Sequence, residues 1–354
     1  MIGDAFERAC DAVVPVDGRA AAEARARHDR LTKPPGSLGR VEAVGIQLAA
    51  IAGACPPPRP RPAAVAVFAA DHGVVDDGVS AWPREVTAAM VANFDRGGAA
   101  VNVLARAAGV TVTVVDVGVA TELPATGPTV RNERVRAGTR NLAREAAMTV
   151  DEVRGAMDVG AATAAELVGV GNRALLAGDM GIGNTTAAAA LIAACTERDA
   201  EALVGRGAGV DDAGLARKQA VVRVAAERAA RLDDPVAVLA EVGGLEIAAL
   251  AGYLIGGAAA RVPVILDGVI VCAAALVAQR LAPAAAGFFI ASHRSTEPAA
   301  TAALDALALD PVLDLDLRLG EGTGACLALP IVDASALVLT EMATFDEANV
   351  PGAE

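Results

Sequence analysis

Apolar residues in this chain fall in short continuous runs more often than in strict alternation. The expected strands are 64–69, 110–115, 173–177, 262–266, 287–291 and 312–317, most of them continuous apolar runs. Runs of that length with no polar face predict strands covered on both sides, as in a parallel sheet. Ala-rich stretches of helical length separate them, and that alternation predicts an α/β fold with a doubly wound parallel sheet and helices on both faces. Upstream, helical segments are expected over 4–13, 20–30 and 40–52, with a KPPGSLG turn before the third. The prolines of CPPPRPRP, 55–62, predict an extended linker between this helical part and the sheet. There is no internal repeat.

Composition changes this picture little. The 354 residues are 54% hydrophobic, and the mean hydropathy of +0.44 raises the question of a membrane. The apolar stretches 247–260 and 268–278 are interrupted by Arg261, Asp267 and Arg280 before the roughly 18 residues that a span needs. No basic segment followed by an apolar one opens the sequence, so no secretory leader is expected. Five cysteines without C-x-x-C spacing fit reduced thiols in a cytoplasmic protein. Three scattered histidines argue against a zinc site. A net charge of -13 argues against nucleic acid as a partner. The basic residues are arginines except for Lys33 and Lys218, which are either positions where a compact charge on a flexible stem is needed or two incidental surface lysines.

Candidate chemistry gathers at the carboxyl ends of the expected strands, where open α/β sheets bind ligands. GDMGIGNTT, 178–186, follows one strand and opens an Ala-rich helix. Free amides and the helix dipole make such a terminus an anion site. Gly181 and Gly183 allow close approach, and Asn184 and Thr185 add side-chain donors. A tight connection that merely needs glycine would read the same way. Asp71-His72-Gly73, Asp116, Asp267-Gly268, Ser292-His293-Arg294-Ser295 and Arg318 to Gly324 stand at the other ends. Glu321, between glycines in GEGTGA and beside the apolar Leu319, is the acid–base candidate; alternatively, its carboxylate accepts N–H bonds at the start of the next helix.

Taken together, the motifs resemble the nicotinate-nucleotide–dimethylbenzimidazole phosphoribosyltransferase family of cobalamin lower-ligand assembly. The segments that carry the resemblance are KPPGSLGRVE (33–42), ADHGVVDDGVS (70–80), GDMGIGNTT (178–186) and VGRGAGVDDAGLARK (204–218). They continue with EVGGLEIAALAG (241–252), PVILDG (263–268), SHRSTEPAA (292–300) and RLGEGTGACLALPIVDA (318–334), in order along essentially the whole chain. The resemblance implies transfer of 5-phosphoribose from nicotinate mononucleotide to 5,6-dimethylbenzimidazole, with release of nicotinate, inversion to the α-nucleotide, and neither cofactor nor metal. It implies a Rossmann-like catalytic domain over 63–324 and a small helical domain built from 1–62 and 325–354, in a homodimer. Glu321 would be the base. The phosphate and ribose would lie against Gly181 to Thr185, with Gly207 and Lys218 nearby and Asp179 at the sugar. Asp267 and Leu319 would belong to the substrate site as well.

Two positions depart from the family pattern. Asp179 stands where a Glu is expected, one methylene shorter. Trp82 and Met90 stand where a small Ser and a Gln are expected near the base pocket. Trp82 would either stack on an aromatic base or pack under the next helix, and Met90 would soften the pocket. The accepted base could therefore be another benzimidazole, a purine or a phenolic. An NAD-dependent oxidoreductase would need G-x-G-x-x-G after its first strand, where this chain has Asp71-His72-Gly73. A non-enzymatic nucleotide-binding module would leave Glu321 without a purpose.

Overall fold

The structure is a computed structural model that describes residues 4–123 and 126–351. Its six strands are β1 (Ala63–Ala70), β2 (Val110–Gly118), β3 (Val130–Asn132), β4 (Ala174–Met180), β5 (Val264–Leu266) and β6 (Phe289–Ala291). They form one parallel sheet in the order β3-β2-β1-β4-β5-β6. β1 is buried along its whole length, and its successive side chains enter opposite cores. Ala64, Ala66 and Phe68 meet the helices Val150–Gly169, Leu245–Ala259 and Val269–Leu281. Val65 and Val67 meet Val86–Asp95, Ala100–Ala108 and Thr323–Glu341. Burial on both faces explains why these strands carry no polar alternation. It gives the doubly wound α/β fold expected from the sequence.

The chain order reverses between β1 and β4, so the crevice of this sheet opens at the carboxyl ends of those two strands. Small residues let the layers approach closely. A Cβ on Gly160 would meet the Ala249 carbonyl, and one on Gly252 the Met157 carbonyl, so two core helices cross backbone to backbone.

Two strand expectations need correction. The 312–317 run does not join the sheet. Its contact is a single parallel bridge, Leu313 with His293 just beyond β6; the chain then bulges, with Leu315 exposed and Asp316 at φ +55, and the Leu317 carbonyl accepts from Thr296 N–H. Its alternating leucines and aspartates have no apolar layer on the second side. The edge strand β3 has no counterpart among the expected strands; three residues with Arg131 at the centre carry no apolar run.

The three upstream helices form as Ala5–Ala12, Gly18–Arg30 and Arg40–Ala52. The Asp17 carboxylate accepts from Arg19 and Ala20 N–H and sets the start of the second. The first lies against the sheet's helices, where Phe6 is buried and its N–H donates to Asp158 at 2.9 Å. The next two meet the far end of Thr323–Glu341 through Ala24, Ala49 and Leu339. Lys33 forms a buried ion pair at 2.8 Å with Glu42, in the first turn of Arg40–Ala52. The proline segment is a fixed strap, because Arg59 and Arg61 both hold Asp333, at 2.6 and 2.8 Å. Thr323–Glu341 is long and apolar enough to cross a membrane by length and composition, but its apolar side chains pack in the core and Asp333 sits at its middle.

Candidate active site

A cavity of about 720 Å3 opens at the crevice. Three segments build it: 79–90 after β1, Asp179 to Thr185 from the end of β4, and 316–321 before the last long helix, with Arg206 to Ala208 closing one side. A small annex of about 40 Å3 adjoins it, lined by Asn184 and Thr185 of one helix start and by Gly268, Val269 and Ile270 of another. Two helix N-termini therefore border one small space, where both dipoles favour an anion.

The loop after β4 is shaped by sterics. A Cβ on Gly181 would meet the Ala70 carbonyl at the end of β1, so this turn passes directly over the neighbouring strand. Gly183 lies at φ +95 and begins the helix Asn184–Thr196. Ile182 N–H donates to Thr87 Oγ1 at 3.1 Å. Asn184 Nδ2 donates to Asp179 Oδ2 at 3.0 Å, while Asp179 Oδ1 has no protein partner. Burial holds the Asp179 carboxyl well above the ordinary range; Asp267, Glu246 and Glu321 push the same way, against the Asn184 bond.

Lys218 lies behind this loop. Its Nζ donates to Thr185 Oγ1 at 2.9 Å and to the Gly205 carbonyl at 3.1 Å. Burial pulls the ammonium down to about 8, opposed by Glu297. Arginine's planar fork would not fit between a hydroxyl and a carbonyl in so tight a space. Gly207 is held at both ends of its residue: its N–H donates to Glu297 Oε1 and its carbonyl accepts from Arg318 Nη1, each at 3.0 Å. The Trp82 indole N–H donates to the next carbonyl, Ala208, at 3.2 Å, and the ring remains half exposed on the cavity wall. Met90 and Leu319 extend that wall, Leu319 at 58% exposure. Arg206, Arg318 and Glu297 stand in the motifs read from the sequence, but only their contacts give them a part in shaping this loop.

Glu321 lines the cavity with 5% of its surface exposed and a backbone φ of +65. Its Oε2 accepts from Val101 N–H at 3.3 Å. Burial raises its carboxyl above the usual value and the Asp267 charge adds to that, while the Val101 bond lowers it. A carboxylate so raised is a better base. The partner from the helix Ala100–Ala108 could not be read from sequence, since a backbone N–H leaves no residue signature.

Of the other strand-end residues, Gly268, His293 and Ser295 line the annex, whereas Asp71, His72, Asp116 and Asp267 reach neither space. Asp116 is taken up by Gly118 and Val119 N–H and by Arg134. Asp71 accepts from Ala120 N–H, and His72 Nε2 meets Glu246 at 2.7 Å in the core. Asp267 accepts three backbone N–H bonds from 322–325 and lines neither space. The adjacent aspartates of the 70–80 and 204–218 motifs are engaged by neighbours too: Asp76 by Arg84, Asp77 by Arg144, and Asp212 by Arg206.

A family profile described as phosphoribosyltransferase matches residues 13–350. A nicotinate-nucleotide–dimethylbenzimidazole phosphoribosyltransferase of Salinispora tropica is 54% identical over 98% of this chain and 99% of its own length. One of the same name from Mycobacterium avium is 54% identical over 96% of this chain and 97% of its own. The crystal structure of CobT from Thermus thermophilus superposes with a TM-score of 0.91 at 50% identity, covering 95% of this chain and 100% of that one.

Proposed function

The chain belongs to the nicotinate-nucleotide–dimethylbenzimidazole phosphoribosyltransferase family, and from that premise we propose that it makes the α-nucleotide of the cobalamin lower ligand. The donor is nicotinate mononucleotide and the acceptor 5,6-dimethylbenzimidazole. The observation that carries this reading is the joining, in one cavity, of a double helix-terminus annex and a buried, raised carboxylate, Glu321.

The donor's phosphate lies against Gly181 to Thr185, at the annex, and the free Oδ1 of Asp179 takes a ribose hydroxyl. The shorter side chain is offset by Asn184, which fixes the other oxygen. The nicotinate ring is cationic while bonded to ribose. As the C1′–N bond breaks, its electron pair passes to the ring nitrogen, so the leaving group needs no acid. One benzimidazole nitrogen attacks C1′ from the opposite face, inverting β to α, and the proton on its other nitrogen passes to Glu321. Alignment of the two rings supplies much of the acceleration. The same reading makes the enzyme a cytoplasmic homodimer.

The acceptor lies along Trp82, Met90 and Leu319. This wall offers area and polarizability in place of a Ser and a Gln, which favours an apolar benzimidazole over a purine. Trp82→Ala is expected to raise KM for dimethylbenzimidazole about three- to tenfold, the size of one aromatic contact, and to leave KM for the donor nearly unchanged. Steady-state kinetics with each substrate varied in turn checks this, and a larger rise for the donor would assign Trp82 to the phosphoribose side. The reaction itself is tested by incubating the protein with both substrates and following nicotinate release. No release with any benzimidazole, purine or phenol would leave the reading without support.

A further inference from the structure

Asp267, at the carboxyl end of β5, is 1% exposed, and both of its oxygens are occupied by one turn. Oδ1 accepts from Gly324 N–H at 2.7 Å and Ala325 N–H at 3.2 Å, and Oδ2 from Gly322 N–H at 2.9 Å. The first two bonds are those of an ordinary helix cap for Thr323–Glu341. The third is to the peptide that joins Glu321 to Gly322. Glu321 sits in the left-handed region, which a residue with a side chain keeps only when its surroundings hold it there. On the other side, a Cβ on Gly178 of β4 would stand 2.6 Å from the Glu321 carbonyl, so the turn is clamped between β4 and Asp267.

We propose that Asp267 is the positioning residue for the reaction's base, holding the Glu321 peptide in the conformation that presents its carboxylate to the cavity. It rests on the assignment of Glu321 as that base. Burial raises the Asp267 carboxyl itself to about 7, against its backbone N–H bonds, and the charge it carries above that pH adds to the burial that raises Glu321. The other titratable groups around the pair are Asp179, held well up by burial, His293, pushed down to about 4, and the Cys272 and Cys326 thiols, pushed up to about 12. None of these is altered in the variants below.

In Asp267→Asn the carbonyl can still accept from Gly324 and Ala325, but the amide N–H₂ faces the Gly322 N–H, donor against donor. The expected result is a kcat at least about tenfold lower, with KM for nicotinate mononucleotide within about twofold. The acid limb of its kcat–pH profile moves to lower pH, because a negative neighbour has been removed from Glu321. A residue that served folding alone would reduce the amount of active enzyme and leave the limb in place. Asp267→Glu keeps the charge but displaces the turn, so it lowers kcat with the limb unmoved, and it answers the question if the Asn variant does not fold. Wild-type kcat and limb in Asp267→Asn beside an inactive Glu321→Gln overturn the inference and leave the base assignment standing. Near-normal turnover in Glu321→Gln removes both. Failure of both Asp267 variants to fold also overturns the inference, since the residue would then serve the core.

Discussion

Replacement of Glu321 by Gln is expected to lower kcat by about 10²- to 10⁴-fold, the usual contribution of a positioned general base. The amide keeps the shape of the side chain and can still accept from Val101 N–H, so the loop has no reason to move. Binding of nicotinate mononucleotide, measured by calorimetry without the acceptor, is expected to stay within about twofold, because only an interaction of the transition state has been removed. The pH profile separates this from a general loss of structure. In the native enzyme, burial and Asp267 raise the Glu321 pKa, so the base is ionised and active above that pKa and kcat falls as pH is lowered through it. The limb is expected at a higher pH than an ordinary carboxylate gives, and Glu321→Gln should lack it. A variant that retained both turnover and limb would assign the proton to another group.

Much of this architecture is legible in the sequence because burial on both faces is written in composition. β1 and the first half of β4 are continuous apolar runs, β2 begins with valine alternating with threonine, and the structure extends each of them by at least one residue beyond the expected range. What failed was written in contacts. The 312–317 run has the hydrophobicity of a strand, but no second layer covers it, and β3 pairs with β2 without an apolar signature. The site divides in the same way. Gly181, Asn184, Thr185 and Glu321 could be marked because glycine-rich turns and an acid between glycines are unusual local choices. Asp267 could be marked as a strand-end acid, but its work as acceptor for the 322–325 amides depends on two segments more than fifty residues apart in sequence. The same holds for Lys218, whose scarcity drew attention and whose partner, Thr185, only the fold supplies.

Gly181→Ala tests the other half of the cavity, and its effect is expected to fall on the donor. The new methyl group would be driven into the Ala70 carbonyl, a backbone atom of a strand hydrogen-bonded on both sides, and β1 cannot yield. The loop must therefore lift, taking with it the Ile182 N–H that donates to Thr87 and the start of the helix Asn184–Thr196. A displacement of about 1 Å at an aligned site costs on the order of 10²-fold, so kcat/KM for nicotinate mononucleotide is expected to fall at least that far. Overpacking at a buried backbone contact typically costs about 1–3 kcal/mol, and a lower Tm should accompany the loss. The distinguishing measurement is competition by inorganic phosphate. If the loop and the annex hold the donor's phosphate, phosphate inhibits the native enzyme competitively against nicotinate mononucleotide and inhibits Gly181→Ala far less. Equal inhibition of the two would place the phosphate elsewhere in the cavity, with Arg206 and Arg318 as the remaining cationic groups on its wall.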